Sequence, residues 1–459
     1  MAPPSSDRDS APDDARPSDP GPLRRGGQLP ARRLTTPPPP LSPEDAARFD
    51  DEGEVARGGM SSIHAVVDRR LARREAMKVL ELPAEATLER SHRAAHRFLE
   101  EARITGQLDH PNIVPVYDLG LSVDGAPSYM TMKLVEGEAF GDWIDRLGDA
   151  RLDPDALEHA ITVLLKVCDA VAFAHGKGVI HCDIKPSNIM VGSFGQVYLM
   201  DWGLAVTTSL YSATSVKGWQ PRPLRPGTIA GSPAYMAPEQ ALGLVEKLNE
   251  TTDVFGLGAT LYRVLTGQSP YNEPTVKGTI ARAREGKIMP CDAIVIDPRL
   301  PPELARIAMK ALSFEPTHRH PSALAFKSDL EGFLRGGGWL PTQTFAEGEV
   351  ILREGEEARA AYVLLDGVVE VYKTVNGRRL AIRLMGPGDV FGEAAVFSSR
   401  PRSASVVAKS DVTVKVITAE SMERELSKNA ALKALVRALA HRFRELDMVL
   451  TQHELDSQG

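Results

Sequence analysis

The sequence predicts an α+β multidomain chain, with a polar tail followed by a larger mixed domain and a smaller β-rich one. Three observations carry this expectation. Residues 1–49 hold 12 of the 34 prolines. Residues 50–335 pass from short strand-like runs to longer helical stretches. Beyond Arg335-Gly336-Gly337-Gly338, which breaks any helix, the texture turns to short alternating runs between Gly and Asn turns.

The tail contains Pro37-Pro38-Pro39-Pro40 among many Asp, Arg and Ser, with little that is apolar. It has too little apolar surface to offset its ordering entropy, so a disordered or polyproline-like segment is expected over 1–49. In the domain expected over 50–335, Ile63-His64-Ala65-Val66-Val67 and Ala76-Met77-Lys78-Val79-Leu80 read as strands. Asp153-Pro154 reads as the N-cap and first residue of a helix with Leu157, Ile161, Leu164, Leu165, Cys168 and Val171 on one face. Cys168 on that stripe reads as a small buried apolar residue. The last domain is expected over 340–455. There Tyr362-Val363-Leu364-Leu365 and Val368-Val369-Glu370-Val371-Tyr372, with turns at Asp366-Gly367 and Asn376-Gly377, predict a small antiparallel barrel or sandwich. A terminal helical segment bears Leu432, Leu435, Val436, Leu439, Phe443 and Leu446, which suits a core face or a homodimer face alike.

The 459 residues are 42% apolar, enough for ordinary cores, and carry a net charge of -7. With a pI near 5.9 the chain lacks the basic face of a general nucleic-acid binder. Cys168, Cys182 and Cys291 are far apart and make neither a disulfide framework nor a zinc spacing, which points to a reducing compartment. Met1-Ala2-Pro3-Pro4 begins no apolar signal core, and no apolar run is long enough to span a bilayer. The expectation is a soluble, cytoplasmic protein.

The chemistry concentrates in His181-Cys182-Asp183-Ile184-Lys185-Pro186-Ser187-Asn188 and in Asp201-Trp202-Gly203, thirteen residues beyond Asn188. Four polar residues at this spacing directly after the apolar Val179-Ile180 are more than a solvated loop. The pair of motifs resembles the catalytic loop and metal loop of bacterial serine/threonine protein kinases, with Cys182 where Arg is usual and Trp202 where Phe is usual. The resemblance covers nearly all of 50–335 and implies a bilobal protein kinase fold using ATP and Mg²⁺. It makes Asp183 the base that accepts the substrate hydroxyl proton and Lys185 the cation that stabilises the γ-phosphate in transfer. Asn188 and Asp201 become the metal ligands.

Other motifs follow in the family's order. Ala56-Arg57-Gly58-Gly59-Met60-Ser61-Ser62-Ile63 lies where the glycine-rich phosphate loop is expected, with Ala56 and Ser61 replacing the outer glycines around Gly58. Lys78 matches the lysine on the α- and β-phosphates. Glu101 matches its partner on the family's helix C; Glu100 is the neighbouring alternative, and Asp109-His110-Pro111-Asn112 sets a register that favours Glu101. Met132 falls at the gatekeeper, and Lys133-Leu134-Val135 at the adenine-contacting hinge. Gly231-Ser232-Pro233-Ala234-Tyr235-Met236-Ala237-Pro238-Glu239 closes the activation segment. Glu239 and Arg319 are expected to pair, and Asp253 to brace the catalytic loop, all three as structure rather than chemistry.

In relatives, the Arg before the catalytic Asp pairs with a phosphate on the activation loop. A thiol at Cys182 supplies no such charge. Thr207, Thr208, Ser209, Ser212, Thr214, Ser215, Thr228 and Ser232 offer hydroxyls, yet their phosphorylation is not expected to be the principal switch. Cys182 reads as a neutral replacement in a constitutively active enzyme; a redox-sensing thiol has no low-pKa argument behind it.

Phe391-Gly392-Glu393-Ala394-Ala395 followed by Arg402-Ser403-Ala404-Ser405-Val406 resembles the phosphate cassette of cyclic-nucleotide-binding domains, a resemblance running from Phe345 to Ile417. It implies a jelly-roll-like β-barrel with flanking helices. A short helix N-terminus and Arg402 would take the cyclic phosphate, and Glu393 the ribose hydroxyl. Ser403 follows the Arg, and the reading leans to cAMP over cGMP. The alternative is a barrel kept for packing or dimerisation.

Together the modules read as a serine/threonine-protein kinase acting on protein substrates in signal transduction, coupled to a cyclic nucleotide. A pseudokinase scaffold that binds nucleotide is the competing reading, motivated by the altered glycine loop, Cys182 and Trp202 and opposed by Lys78, Asp183, Asn188 and Asp201.

Overall fold

The computed structural model describes residues 43–58, 61–81, 87–121, 127–208, 224–335, 340, 342–357, 360–375, 378–393, 401–418, 421–422 and 439. Its internal contacts divide the chain into two units, Met1–Ala94 with Leu119–Leu134, and Ala95–Asp118 with Val135–Gly459. Each is taken by itself.

The first unit is built on strands β1 (Phe49–Arg57), β2 (Ser61–Asp68), β3 (Arg73–Leu80), β4 (Val116–Leu121) and β5 (Pro127–Lys133), in the order β1-β2-β3-β5-β4. Registers Ala56↔Ile63, Ile63↔Lys78 and Lys78↔Met130 set these four residues in one row on one face of the sheet. Ala76↔Met132 forms the next row on that face. Ordered chain begins before residue 50, because helix α1 (Pro43–Arg48) is tied down by an Arg48–Asp68 ion pair at 2.7 Å. Phe49 is buried edge-on against Tyr129 with ring centroids 5.7 Å apart. Composition alone hides those partners; residues 1–42 of the expected tail lie outside the described residues. Helix α2 (Leu88–Gly106) bridges from the first unit's sequence into the second.

In the second unit, helices α3 (Phe140–Leu147) and α4 (Pro154–Gly176) are joined by three short pairs of strand: β6 (Gly137–Ala139) on β8 (Ile189–Gly192), β8 on β9 (Val197–Leu199), and β7 (Val179–Ile180) on β10 (Val206–Thr207). Helix α4 starts as the sequence suggests, with Asp153 as N-cap and Pro154 at the first position, but the Asp153 side chain makes no cap bond. Its carboxylate takes Arg299 instead, at 2.7 Å. The expected stripe is buried except for the half-exposed Leu165, and Ala160, Val163, Val167 and Ala170 are buried as well. The helix is therefore a central core element, not an amphipathic cover. Around it pack α5 (Pro238–Ala241), α6 (Glu250–Thr266), α7 (Val276–Glu285), α8 (Cys291–Ile294), α9 (Pro302–Ala311) and α10 (Ala323–Arg335), through Val254, Phe255, Leu261, Leu304, Phe326 and Leu330.

The β-rich module is built as two four-stranded sheets. One runs β11 (Thr342–Phe345), β18 (Val412–Thr418), β13 (Ala360–Asp366), β16 (Val390–Phe391); the other β12 (Val350–Leu352), β17 (Ser405–Ala408), β14 (Val369–Val375), β15 (Arg378–Met385). Phe345, Leu352, Leu364, Val369, Phe391, Val406 and Val414 form its core. Alternation is plain in β13, where Leu364 is buried and Leu365 exposed. The Asn376-Gly377 turn lies outside the described residues, as do Leu432, Leu435, Val436, Phe443 and Leu446 of the terminal stripe, and Arg335 is the last described residue before the glycines. No described helix is long and apolar enough to cross a membrane.

Candidate active site

The short antiparallel pair β7–β10 and the hairpin β8–β9 position the catalytic-loop motif. Hairpin register pairs Ile189 with Leu199, and the Met200 N–H donates to the Asn188 carbonyl at 2.9 Å. Asn188 and Asp201 are thereby carried on the same end of one hairpin. Val179 and Ile180, wholly buried, anchor the loop that follows.

Asp183 is the hub of that loop. Its carboxylate oxygen Oδ1 accepts from the Ser232 N–H at 2.8 Å, and Oδ2 accepts from Lys185 Nζ at 2.7 Å and Asn188 Nδ2 at 3.2 Å. Lys185 Nζ also donates to Ser232 Oγ. Asn188 Nδ2 bonds the Asp183 carbonyl at 2.9 Å as well, so its amide oxygen is turned away from Asp183. Asp183 is buried while Asp201 is exposed. That gives one carboxylate held in a buried network and another at the surface.

The loop's backbone is held under strain. Cys182 and Asp201, neither of them glycine, both sit at φ near 63° in the left-handed region. Such conformations cost on the order of 1–3 kcal/mol and persist when the surroundings over-determine them. Asp253 supplies much of that determination: its Oδ2 accepts from the His181 N–H and bonds His175 Nε2, and its Oδ1 accepts from the Cys182 N–H, all at 2.8 Å. His175 escaped the sequence reading, since it sits on an otherwise apolar buried stretch of α4 and its partner is 78 residues away. Cys182 is 4% exposed, and burial, reinforced by Asp253, pushes its thiol well above the ordinary range. The sulfur therefore stays a protonated thiol, which argues against redox sensing.

Trp202 is fully buried with its ring 4.5 Å from that of His181, packed inward as expected, and its Nε1 has no hydrogen-bond partner among the described residues. Glu101 is buried, and its carboxylate lies so close to Gly203 that a Cβ there would meet Oε2 at 3.0 Å. Glu100 is turned to His96, 3.3 Å away on the same helix. The two acidic neighbours thus have different settings, with the Glu101 carboxylate the one in contact range of the metal-loop glycine.

Lys78, Ala56, Gly58, Ser61, Ile63, Met132 and Lys133 belong to the first unit, Val135 to the second. Lys78 is half-buried on β3, in the row with Ala56 and Ile63, and Met132 is buried at 4% exposure on the same face. Gly58 donates its N–H to the Ser61 carbonyl at 2.7 Å; Gly59 and Met60 of that loop lie outside the described residues. So do the activation-segment hydroxyls Ser209, Ser212, Thr214 and Ser215.

No cluster of three or more acidic, His or Cys side chains able to hold a metal exists among the described residues. An amide oxygen and a single exposed carboxylate suit Mg²⁺, which keeps most of its shell for water and substrate phosphates. The donor chemistry of Asn188 and Asp201 therefore fits a metal that arrives with a nucleotide.

In the β-rich module, Arg402 is 6% exposed and donates to the carbonyls of Gly392 and Ala360, each at 2.6 Å. Burial lowers its pKa, with Tyr362, Glu356 and Glu393 acting in the opposite sense. An arginine remains charged in such a setting. Among the described residues it forms no ion pair with a carboxylate. Gly392, at φ 76°, allows the close approach, since a Cβ there would fall 2.7 Å from Arg402 Nη1. Glu393 and Ser403 are exposed, and residues 394–400, where the short helix was expected to continue, lie outside the described residues.

Comparison with known families agrees with this division of labour. The family description "Protein kinase domain" matches residues 49–329, and "Cyclic nucleotide-binding domain" matches residues 342–429. The chain is 32% identical over 307 residues to a serine/threonine-protein kinase PknD of Chlamydia muridarum, covering 61% of this chain and 31% of that protein. It is 30% identical over 317 residues to the PknD of Chlamydia caviae, covering 64% and 32%. The PknD of Chlamydia pneumoniae is 30% identical over 304 residues, covering 63% and 31%. The chain thus spans about a third of the length of these curated relatives.

Proposed function

This chain belongs to the protein kinase family, and on that premise we propose that it transfers the γ-phosphate of ATP to serine and threonine hydroxyls of proteins, under control of a cyclic nucleotide bound by its C-terminal domain. The observation that carries the kinase half is the Asp183 network. One carboxylate oxygen is fixed by the activation segment through Ser232, and the other meets Lys185 and Asn188. A carboxylate so held can take the proton of an acceptor hydroxyl that docks beside Ser232. Lys185, already on Asp183 and Ser232, is placed to offset charge on the group in transit. Mg²⁺, when bound, neutralises charge on the nucleotide phosphates, and Asn188 with Asp201 would hold it. In the first unit Lys78 would hold the α- and β-phosphates, Ala56, Gly58, Ser61 and Ile63 would cover them, and Met132 and Lys133 would meet the adenine; Glu101 and Val135 keep the roles that the family resemblance implies for them. The three free cysteines and the need for ATP suit the cytoplasm. Incubation with radiolabelled ATP and a mixed protein acceptor is expected to yield phosphoserine and phosphothreonine on acid hydrolysis. Label found only as phosphotyrosine, or none, would refute the reading.

A second reading, a nucleotide-binding scaffold without transfer, draws on Gly58, whose N–H is spent on Ser61 rather than offered to phosphate. The same assay separates the two.

Because a buried neutral thiol stands at position 182, activity is expected not to depend on activation-segment phosphate. Phosphatase treatment should change the rate by less than an order of magnitude; a larger loss would refute constitutive activity.

The regulatory half rests on Arg402, a buried cation whose hydrogen bonds among the described residues go to carbonyl oxygens. A cyclic phosphate would give this guanidinium an anionic partner, with Glu393 on the ribose and Ser403 beside it; cAMP is the preferred ligand over cGMP. Calorimetry on the full chain is expected to show binding that Arg402→Ala weakens by about 2–5 kcal/mol. Arg402→Lys, which keeps charge but not the paired donors, should fall between. Unchanged affinity in both variants would remove Arg402 from the site.

A further inference from the structure

Gln240 sits on α5, one residue beyond Glu239, and is 4% exposed. Its Nε2 donates to the Cys182 carbonyl at 2.6 Å and to the Ala230 carbonyl at 2.9 Å, and its Oε1 accepts from the Ala237 N–H at 2.9 Å. Both amide hydrogens and the amide oxygen are therefore used, with the two hydrogens on different segments. One of those segments is the catalytic loop, the other the end of the activation segment.

The two carbonyls flank the contact on which the site depends. Cys182 precedes Asp183, and Ala230 precedes Gly231-Ser232, whose N–H binds the Asp183 carboxylate. Cys182 is in the left-handed region, its N–H held by Asp253 and its carbonyl by Gln240, so both ends of the strained residue are pinned. Gly231 is at φ 130°, and a Cβ there would fall 3.0 Å from Gln240 Nε2 and 3.3 Å from the Cys182 carbonyl. The segment passes this close only because the residue is glycine.

We propose that Gln240 is a positioning residue that fastens the activation segment to the catalytic loop and so presents Ser232 and Asp183 to a protein acceptor without any phosphate. The inference rests on the kinase reading above and adds to it the group that fixes the acceptor platform. A neutral amide bonding two backbone carbonyls does here, through Cys182's main chain, what an arginine side chain at that position would do only toward a phosphorylated segment. Its effect falls on acceptor use and leaves nucleotide affinity alone, because none of the three atoms it bonds belongs to the phosphate-binding or adenine-binding residues.

Gln240→Glu and Gln240→Leu in the full chain test it. Glu keeps the volume and the acceptor for Ala237 but sets an oxygen against two carbonyls; Leu removes all three bonds. Both are expected to lower kcat/KM for a protein acceptor by about tenfold or more, while KM for ATP stays within about twofold of wild type. A purely structural role would instead lower the melting temperature and weaken ATP and acceptor use together, and that result overturns the proposal. Wild-type kcat/KM in Gln240→Glu also overturns it. A wild-type protein that binds ATP yet labels no acceptor overturns the kinase reading and this role with it, whereas an active wild type matched by its variants overturns the role alone.

Discussion

Asp183→Asn is expected to lower phosphate transfer by about 10²- to 10⁴-fold while ATP binding persists, the range that loss of a positioned general base produces. The substitution is nearly isosteric, and an amide oxygen can still accept the Ser232 N–H that Asp183 Oδ1 now accepts at 2.8 Å. The other position becomes an NH₂ facing Lys185 Nζ and Asn188 Nδ2, both donors, so the network loses its acceptor as well as its base. Initial rates with radiolabelled ATP measure the first effect, and titration with a fluorescent nucleotide measures the second. A variant that keeps a tenth or more of wild-type transfer would leave Asp183 without the role assigned to it.

Arg319→Met is expected to destabilise the second unit by about 3–5 kcal/mol, the usual consequence of leaving a buried charge without its partner. Arg319 meets Glu239 in a paired arrangement, Nη1 to Oε1 and Nη2 to Oε2, both at 2.8 Å. It also donates to the carbonyls of Ser313, Thr251 and Phe314, and its guanidinium carbon lies 5.1 Å from the centre of the Phe255 ring. Both partners are nearly inaccessible, at 3% and 4% exposure, so solvent screens little of the loss. Replacing the arginine leaves the Glu239 carboxylate, among the described residues, with Thr252 Oγ1 as its remaining side-chain donor. Urea unfolding followed by helix signal reads the change as a shifted midpoint of that unit's transition; a shift worth less than about 1 kcal/mol would place the pair among the weak surface ones.

How much of this was legible in the sequence depends on how far apart the partners lie. Asp183, Lys185 and Asn188 are near neighbours, and the hairpin returning Asp201 to them is short, so spacing and an apolar lead-in suffice to find them. Leu364 and Leu365, buried and exposed in turn, follow from alternation alone. What escaped were side chains whose partners lie far along the chain. Asp153 reads as a helix cap by local pattern, yet its carboxylate goes to Arg299, and nothing near residue 153 foretells that. Gln240 bonds main-chain carbonyls, which carry no residue identity, so even a complete reading of motifs has no handle on it. The helix over Pro43–Arg48 escaped for a related reason: a proline-rich composition outweighed two anchors, Arg48 and Phe49, whose partners are in the sheet.

The placement of Cys182 bears on chemical intervention. A cysteine beside the aspartate proposed as general base is a natural address for an electrophilic probe, because a thiolate is readily alkylated. Here the sulfur is shut behind the loop it belongs to, 4% exposed and held as the thiol. Reagents that discriminate by thiolate character and access would pass it by. Covalent inhibition directed at this loop thus finds no accessible thiol at Cys182, and a cysteine-directed ligand gains nothing there.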